Sequence, residues 1–322
     1  MSRKSSSLTN SSRLPITQAN SNADYVVVDP PCDTFRAHNI SSVNPPVVSF
    51  CIPTLNNEHT IGHCLQSIAN QAYPNKEIVI VDGGSSDSTV EIAKKYTSGI
   101  FFDEGTLGSA TQTAIDHSAG EIIAIFDDDI VIPNSDWLRN AVQYFNYSDK
   151  VSTVWPFQVA PPFASWTTRL HNNLWRSIME DRALKCRGVV GGGNSLLRRQ
   201  CIESIGGINR LLHWGLDFDW AKKLMNQGFQ VVLMKDALYH NTMTSLPELA
   251  KKQFVGITNF KKTGFGVTGR STHDLLYEFL ILGSKGMITG LLIDRDCSWM
   301  LYPLFVLTRV VAYGAASLNE AL

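Results

Sequence analysis

Three consecutive carboxylates, Asp127-Asp128-Asp129, close the apolar run Ile122 to Phe126. A strand that ends in acids delivers negative charge to one rim of a sheet, and in an open α/β sheet the C-terminal rim is where ligands sit. Hard divalent cations such as Mg2+ or Mn2+ take a few carboxylate oxygens and complete their shells with phosphate oxygens of a substrate. The triplet reads as a metal and diphosphate site, although alone it would fit a solvated acidic turn better. The preceding sequence decides between the two. A second β-branched run, Glu77 to Val81, ends in Asp82-Gly83-Gly84 and brings another carboxylate to the same rim.

The elements that must position these acids are legible from Val47 onward, where short β-branched runs alternate with amphipathic helical segments. That alternation predicts an α/β fold with a mostly parallel sheet flanked by helices. Val47 to Ile52 is expected as the first strand, stopped by Pro53, and Ile61, Cys64, Leu65, Ile68 and Ala72 then share one helical face. Ser88 with Glu91 has the spacing of a capping box, so the glycine pair falls in a strand-to-helix turn. Ile100 to Phe102, a helix over Ala110 to His117 and the strand Ile122 to Phe126 complete the half that carries both acidic clusters.

Composition excludes several function classes. With 322 residues, 44% hydrophobic and 18% charged, the chain has ample core for a large globular domain. A formal net charge of -1 and the lack of a basic, aromatic-interleaved stripe give no reason to expect a nucleic-acid partner. The six cysteines form no C-x-x-C pair, and Cys51 and Cys64 fall inside apolar patterns, which points to reduced thiols in a reducing compartment. Met1 to Asn22 is rich in Ser, Asn and Thr without an apolar signal region, so residues 1–44 are expected as a mobile tail. There is no G-x-G-x-x-G after the first strand and no G-x-x-x-x-G-K-[ST], which argues against dinucleotide oxidoreductases and P-loop enzymes.

The run Pro53-Thr54-Leu55-Asn56, then Ile78 to Thr89 through Asp82-Gly83-Gly84, then Ala119 to Ile123 and Asp127-Asp128-Asp129 resembles the family 2 glycosyltransferases in order and spacing. The resemblance implies a GT-A-type fold and an inverting, metal-dependent transfer from a nucleoside-diphosphate sugar to an acceptor hydroxyl or phosphate, in glycan or polysaccharide biosynthesis. It implies that Pro53, Thr54 and Asn56 line the nucleobase and ribose, with Asp82 and Gly83 beside them. It also makes Asp127 and Asp129 the D-x-D pair, with Asp127 and Asp128 in the substrate site and Asp129 on the Mg2+ or Mn2+ ion.

The second half continues the likeness. The run Gly191 to Arg199 resembles the glycine-containing segment before the acceptor side, which marks Gly192 for substrate contact. Trp214-Gly215-Leu216-Asp217-Phe218-Asp219 looks like the G-E-D-x-D signature, whose catalytic base corresponds to Asp217; Leu216 replaces the usual Glu. Asp219 is the fallback base, with a helix N-terminal role as its competing reading. Inversion by direct displacement needs one base to take the acceptor proton, and general-base assistance contributes ~10²–10⁴-fold. Trp214, beside that base, is expected to stack on a sugar. His240 follows the strand expected at Gln230 to Met234 and matches a position where many relatives carry a His, which makes it a candidate metal ligand.

Leu275 to Ile293 and Trp299 to Leu318 are strongly apolar but interrupted by Glu278, Lys285, Pro303 and Arg309. Mid-bilayer charges cost about 2.5–3.5 kcal/mol each on insertion scales, so two amphipathic helices at a membrane interface fit better than spans. The organisation expected is a tail over 1–44, a catalytic domain over 45–260 divided near 130 into nucleotide-sugar and acceptor halves, and an apolar helical extension over 261–322. Such a chain would sit in the cytoplasm, peripheral on the membrane's cytoplasmic face, with a sugar or a lipid-linked acceptor. The alternatives are a nucleotidyltransferase that forms nucleotide sugars, which would need a Gly-rich basic loop absent after Ile52, or a catalytically decayed sugar-nucleotide-binding protein.

Overall fold

In the computed structural model the described residues are 45–185, 193–242, 244–262 and 277–318, together with the backbone of 25–27. A nine-stranded sheet runs in the order β1-β9-β7-β8-β5-β2-β3-β4, with β6 pairing to β9 off this path. Its strands are β1 (Tyr25–Val27), β2 (Val48–Thr54), β3 (Lys76–Asp82), β4 (Ile100–Phe102), β5 (Ile122–Ile125), β6 (Ile130–Val131), β7 (Val151–Val159), β8 (Ser195–Arg198) and β9 (Gln230–His240). Pairing is parallel through β5, β2, β3 and β4, and again from β7 to β9 and from β9 to β1, whereas β8 runs antiparallel to β5 and β7. The expected mostly parallel sheet is therefore present, with β8 reversed where its halves join and the short β6 reversed against β9.

Helices cover both faces. On one, α1 (Ile61–Ala69) buries Ile61, Cys64, Leu65 and Ile68, residues at the three- and four-residue spacing of a helix face, in a cluster with Phe50, Ile52, Phe126 and Trp137. On the other, α3 (Leu107–Asp116) and α7 (Leu216–Asn226) pack Ala110, Ala114, Leu216 and Trp220 against Cys51, Val81 and Ile125. Cys51, Cys64 and Cys201 are buried free thiols. Burial pushes the Cys51 thiol up to about 12, which keeps it protonated and inert.

Four local expectations are corrected. Pro53 does not stop the first strand: β2 continues to Thr54, with Pro53 opposite Val81 and Thr54 opposite Asp82. Pairing to β5 ends at Cys51, so the missing proline N–H falls where the strand has a neighbour on one side only. Ser88 makes no side-chain cap on α2 (Thr89–Ala93); Asp87 takes that place by accepting from the Thr89 backbone N–H at 3.0 Å. The strand expected at Gln230 to Met234 runs on to His240, because β7 and β6 keep pairing with it. Within the stretch expected as a mobile tail, Tyr25–Val27 add a parallel edge strand to β9; the rest of 1–44 lies outside the described residues.

The C-terminal segment packs beside α5 (Trp166–Lys185) and α8 (Leu246–Lys262) as a π-helical turn at Tyr277–Leu282, α9 (Gly283–Leu292), a 3-10 turn at Cys297–Leu301 and α10 (Tyr302–Leu318). Trp299, Tyr302 and Phe305 enter a third core cluster with Trp155, Leu170 and Leu249. Glu278 is buried and receives two N–H bonds from Arg182, at 2.7 and 3.0 Å. Arg309 stacks over the Phe279 ring at 4.3 Å. Among the described residues no helix is long and apolar enough to cross a membrane.

Candidate active site

The acidic triplet follows β5 directly, and its geometry is set by the two-residue strand after it. β6 pairs antiparallel with the end of β9, placing Ile130 opposite His240. The backbone N–H of Asn241 donates to the Asp129 carbonyl at 3.3 Å. This short ladder draws the His240 ring onto the acids: Nε2 stands 3.3 Å from Asp129 Oδ1 and 4.0 Å from Asp127 Oδ2. One ligating atom from each of Asp127, Asp129 and His240 lies within 4.8 Å of the others. Two carboxylates and an imidazole suit Mn2+ at least as well as Mg2+, since imidazole is a better partner for the transition metal. The sequence reading assigned Asp127 to substrate alone, whereas the structure groups it with the two expected ligands.

The three groups perturb one another. Burial alone would lower the His240 pKa, but the neighbouring Asp129 and Asp127 carboxylates outweigh it and hold the ring above its usual value. Burial would raise Asp129, yet the imidazole beside it brings the carboxyl below its ordinary range. Asp127 goes the other way, raised by burial and by the charge of Asp129. Asn194 holds it in place, accepting from the Asp127 N–H at 2.7 Å and donating to Oδ2 at 2.8 Å. Asn194 does so from a left-handed backbone, φ 64°, a conformation Asn tolerates better than most residues.

Asp128 is turned differently. One oxygen accepts from the Asn57 side chain at 2.6 Å and the other from the Thr54 hydroxyl, so the residue braces the end of β2 against the triplet. Burial pushes its carboxyl up to about 7. Asp128 still lines the cavity, but both oxygens are engaged by the protein, which makes it a strut where substrate contact was expected.

A cavity of about 620 Å3 opens at this rim, lined by Pro53, Thr54, Gly83, the three acids, Trp214 and His240 among others. Asp82 stands behind Gly83, 1% exposed. Its Oδ2 accepts from the Gly84 and Ser85 N–H groups at 3.0 and 2.9 Å, while Oδ1 has no hydrogen-bond partner among the described residues. A buried acceptor left open beside a cavity is suited to a ligand N–H. Asn56 does not enter the cavity lining. With φ 51°, it accepts from the Ser86 N–H at 2.9 Å and donates its own N–H to Ser85, clipping the loops after β2 and β3 together.

Asp217 lies in the first turn of α7, entered through the left-handed Gly215. Burial, with the Asp127 charge adding, pushes its pKa up to about 6, against the opposing pull of the Phe218 and Gly193 backbone N–H groups. Asp219, the fallback, is bound at 2.7 Å to Lys223 one turn along. Leu216, where a Glu was expected, is buried with Ile208, Leu212 and Trp220, so this position faces core. Trp214 is 41% exposed at the cavity mouth. Gly192 lies outside the described residues.

Several site residues went unread in the sequence. Asn57 and Asn194 orient the acids, and their roles come from backbone turns that no spacing rule announces. Asp103, Glu104, Thr242 and Lys252 line the cavity without belonging to any quoted motif.

Comparison with known proteins follows the same lines. Residues 49–206 match the profile of the family described as glycosyl transferase family 2. The chain is 28% identical over 218 residues to the glycosyltransferase AglE of Haloferax volcanii, covering 65% of this chain and 71% of that protein. Among solved structures it is similar to the mannosyltransferase PcManGT from Pyrobaculum calidifontis, in complex with GDP-Man and Mn2+, with a TM-score of 0.58, 18% identity and coverage of 84% and 88% of the two chains. It is also similar to glucosyl-3-phosphoglycerate synthase from Mycobacterium tuberculosis, in complex with Mn2+ and UDP-Glc, with a TM-score of 0.51, 17% identity and coverage of 77% and 89%. At these identities the two structures speak for the fold.

Proposed function

Because this chain is a family 2 glycosyltransferase, we propose that it transfers a sugar, with inversion and with the help of a divalent cation, from a nucleoside-diphosphate sugar to an acceptor hydroxyl or phosphate. The observation that carries this reading is the convergence of Asp127, Asp129 and His240 in a cavity that Gly83 also lines, next to Asp82 with its one open oxygen. The loops after β2 and β3 and the acidic triplet line one cavity, which gives the donor two ends to bind. Pro53, Thr54 and Gly83 receive the nucleoside, and the free Asp82 oxygen accepts an N–H of the base. Asp127, Asp129 and His240 would hold Mg2+ or Mn2+, which when bound supplies Lewis-acid stabilisation of the departing diphosphate.

Asp217 takes the acceptor proton. Its raised pKa of about 6 places it near working pH, where a carboxylate is basic enough to help yet still ionised. The Gly193 and Phe218 N–H groups favour the ionised form. The acceptor hydroxyl gives its proton to Asp217 as its oxygen attacks the anomeric carbon from the side opposite the diphosphate. The bond to the leaving oxygen breaks in that step, so configuration inverts.

We further propose a lipid-linked acceptor reached at a membrane surface. The support is the outward face of the C-terminal helices, where Leu292, Ile293, Met300, Leu307, Val310 and Val311 are all exposed. Leu307 and Val311 share an apolar groove with Leu304 and Phe254, an exposed apolar surface suited to an interface. The test of the catalytic reading is a panel of UDP-, GDP- and dTDP-sugars with Mn2+, followed by anomeric proton NMR of the first product. Turnover of one donor with inverted configuration is the expected result; retained configuration, or no donor hydrolysis or transfer across the panel, would overturn it.

A further inference from the structure

The cavity carries a charge imbalance that one residue addresses. Asp103, Glu104, Asp127 and Asp129 surround the space, and Lys252 is the only lysine or arginine among its described lining residues. Lys252 is mounted on α8, where Glu248, Lys252 and Val255 fall at i, i+4 and i+7 and share a face. The adjoining face of the same helix is pinned by Leu249, 0% exposed, and Gln253, 6% exposed. The mount is therefore rigid while the ammonium group reaches open space.

Its surroundings fix where it points. Lys252 Nζ donates to the hydroxyl of Thr242 at 3.0 Å, and Thr242 is buried two residues beyond His240. Glu248 Oε1 lies 3.4 Å away, while Glu248 Oε2 is taken by the N–H and hydroxyl of Thr244. An ammonium has three donors, so Thr242 and Glu248 leave one for the cavity. Residues lining the same space include Asp127, Asp129 and His240, where the diphosphate of a donor would end.

We propose that Lys252 is a catalytic residue that donates to the β-phosphate of the bound nucleoside diphosphate and stabilises the charge left on it when the sugar departs. The assignment rests on the donor reading above. A nucleoside-diphosphate sugar carries two negative charges and gains another on leaving, and a divalent cation shared with two aspartates cannot neutralise that alone. A monocation in the same cavity lining completes the balance, and a charge-assisted hydrogen bond to phosphate is among the stronger polar contacts available.

The competing role is that of a counter-ion that offsets Asp127 and Asp129 and has no contact with substrate. Calorimetric titration with UDP, GDP, UMP and GMP at saturating Mn2+ separates the two, using wild type, Lys252→Gln and Lys252→Arg. For the diphosphate that the wild type binds, Lys252→Gln is expected to weaken affinity about tenfold or more, and that of the matching monophosphate by less than about twofold. Lys252→Arg is expected to restore most of the loss. Unchanged diphosphate affinity together with tighter Mn2+ binding in the absence of nucleotide would identify a counter-ion and overturn the assignment. Equal weakening of both nucleotides would overturn it too. Absence of nucleotide binding by the wild type would remove the donor reading and this assignment together, whereas wild-type binding that Lys252→Gln leaves intact removes only the latter. Lys252 is half-exposed, so its replacement is expected to leave the melting temperature near that of the wild type.

Discussion

Buried acids occur in two regions of this molecule and are treated in opposite ways. At the C-terminal junction both Glu278 oxygens are met by the Arg182 guanidinium, and the pair is sealed with Arg182 over the Trp175 ring at 5.6 Å. At the rim, Asp82 keeps one oxygen without a partner, and Asp129 faces an imidazole and a second carboxylate. The first arrangement leaves nothing for a ligand to do. The second is incomplete without one, and that difference, more than burial or charge, separates a structural acid from a functional one.

The largest effects expected come from the incomplete set. Asp129→Asn should abolish metal-dependent donor binding and lower turnover on the order of 10³-fold, as several kcal/mol of Lewis-acid stabilisation is lost. Asp217→Asn should leave donor affinity near wild type and remove ~10²–10⁴-fold of rate, the range of general-base assistance. Titration of Mn2+ and donor by calorimetry beside steady-state rates checks both. Equal loss of donor binding in the two variants would break the division of roles between them.

The complete set should respond through stability. Arg182→Met strands the Glu278 carboxylate in an apolar junction and is expected to cost about 3–5 kcal/mol, read by urea unfolding. Pairing it with Glu278→Leu should recover most of that loss, because two apolar side chains can replace a buried ion pair. Metal and donor affinity of the folded fraction should stay unchanged. A double variant as unstable as the single one would show that the pair's partners, and not the stranded charge, carry the cost.

Much of this contrast was readable before any coordinates. Ile122 to Phe126 ending in three aspartates, and Glu77 to Val81 ending in Asp82, gave the rim because a parallel sheet aligns strand ends. Asp217, in the first turn of a helix and no strand end, was picked out by a motif resemblance that spacing alone does not supply. What stayed hidden depended on contacts between distant backbone turns. Asp128 looked like its neighbours and became a brace only because Thr54 and Asn57 fold back on it from more than seventy residues away. Pro53 looked like a terminator because sequence does not show on which side a strand lacks a neighbour. Lys252 sits in an ordinary amphipathic helix, and only the path of β9 beyond His240 turns that helix toward the cavity.

A smaller effect sharpens the comparison through pH. The base must be ionised, so kcat/KM should fall as pH drops through about 6, the value to which burial pushes Asp217, and by about tenfold per unit below it. Asp217→Asn should erase this acid limb while leaving residual activity. A limb that survives the substitution would assign the titration to another group.

The smallest effect on folding, and the most specific to the C-terminal region, concerns its outward face. Leu307 and Val311 lie one turn apart on α10, 57% and 61% exposed, beside Phe254 and Lys251 of α8 in an apolar groove of about 490 Å3. Because neither side chain supports the core, replacing both by Glu should change stability by no more than about 0.5 kcal/mol each. At a lipid surface the same change puts two charges where apolar contact is needed, and anionic headgroups add repulsion. Wild-type protein is expected to float with vesicles containing phosphatidylglycerol, and Leu307→Glu with Val311→Glu to remain in the dense fraction with donor turnover in solution intact. If both proteins stay behind, the outward face has some other use, and the contrast between a rim built for ligands and a junction built for packing holds without the membrane.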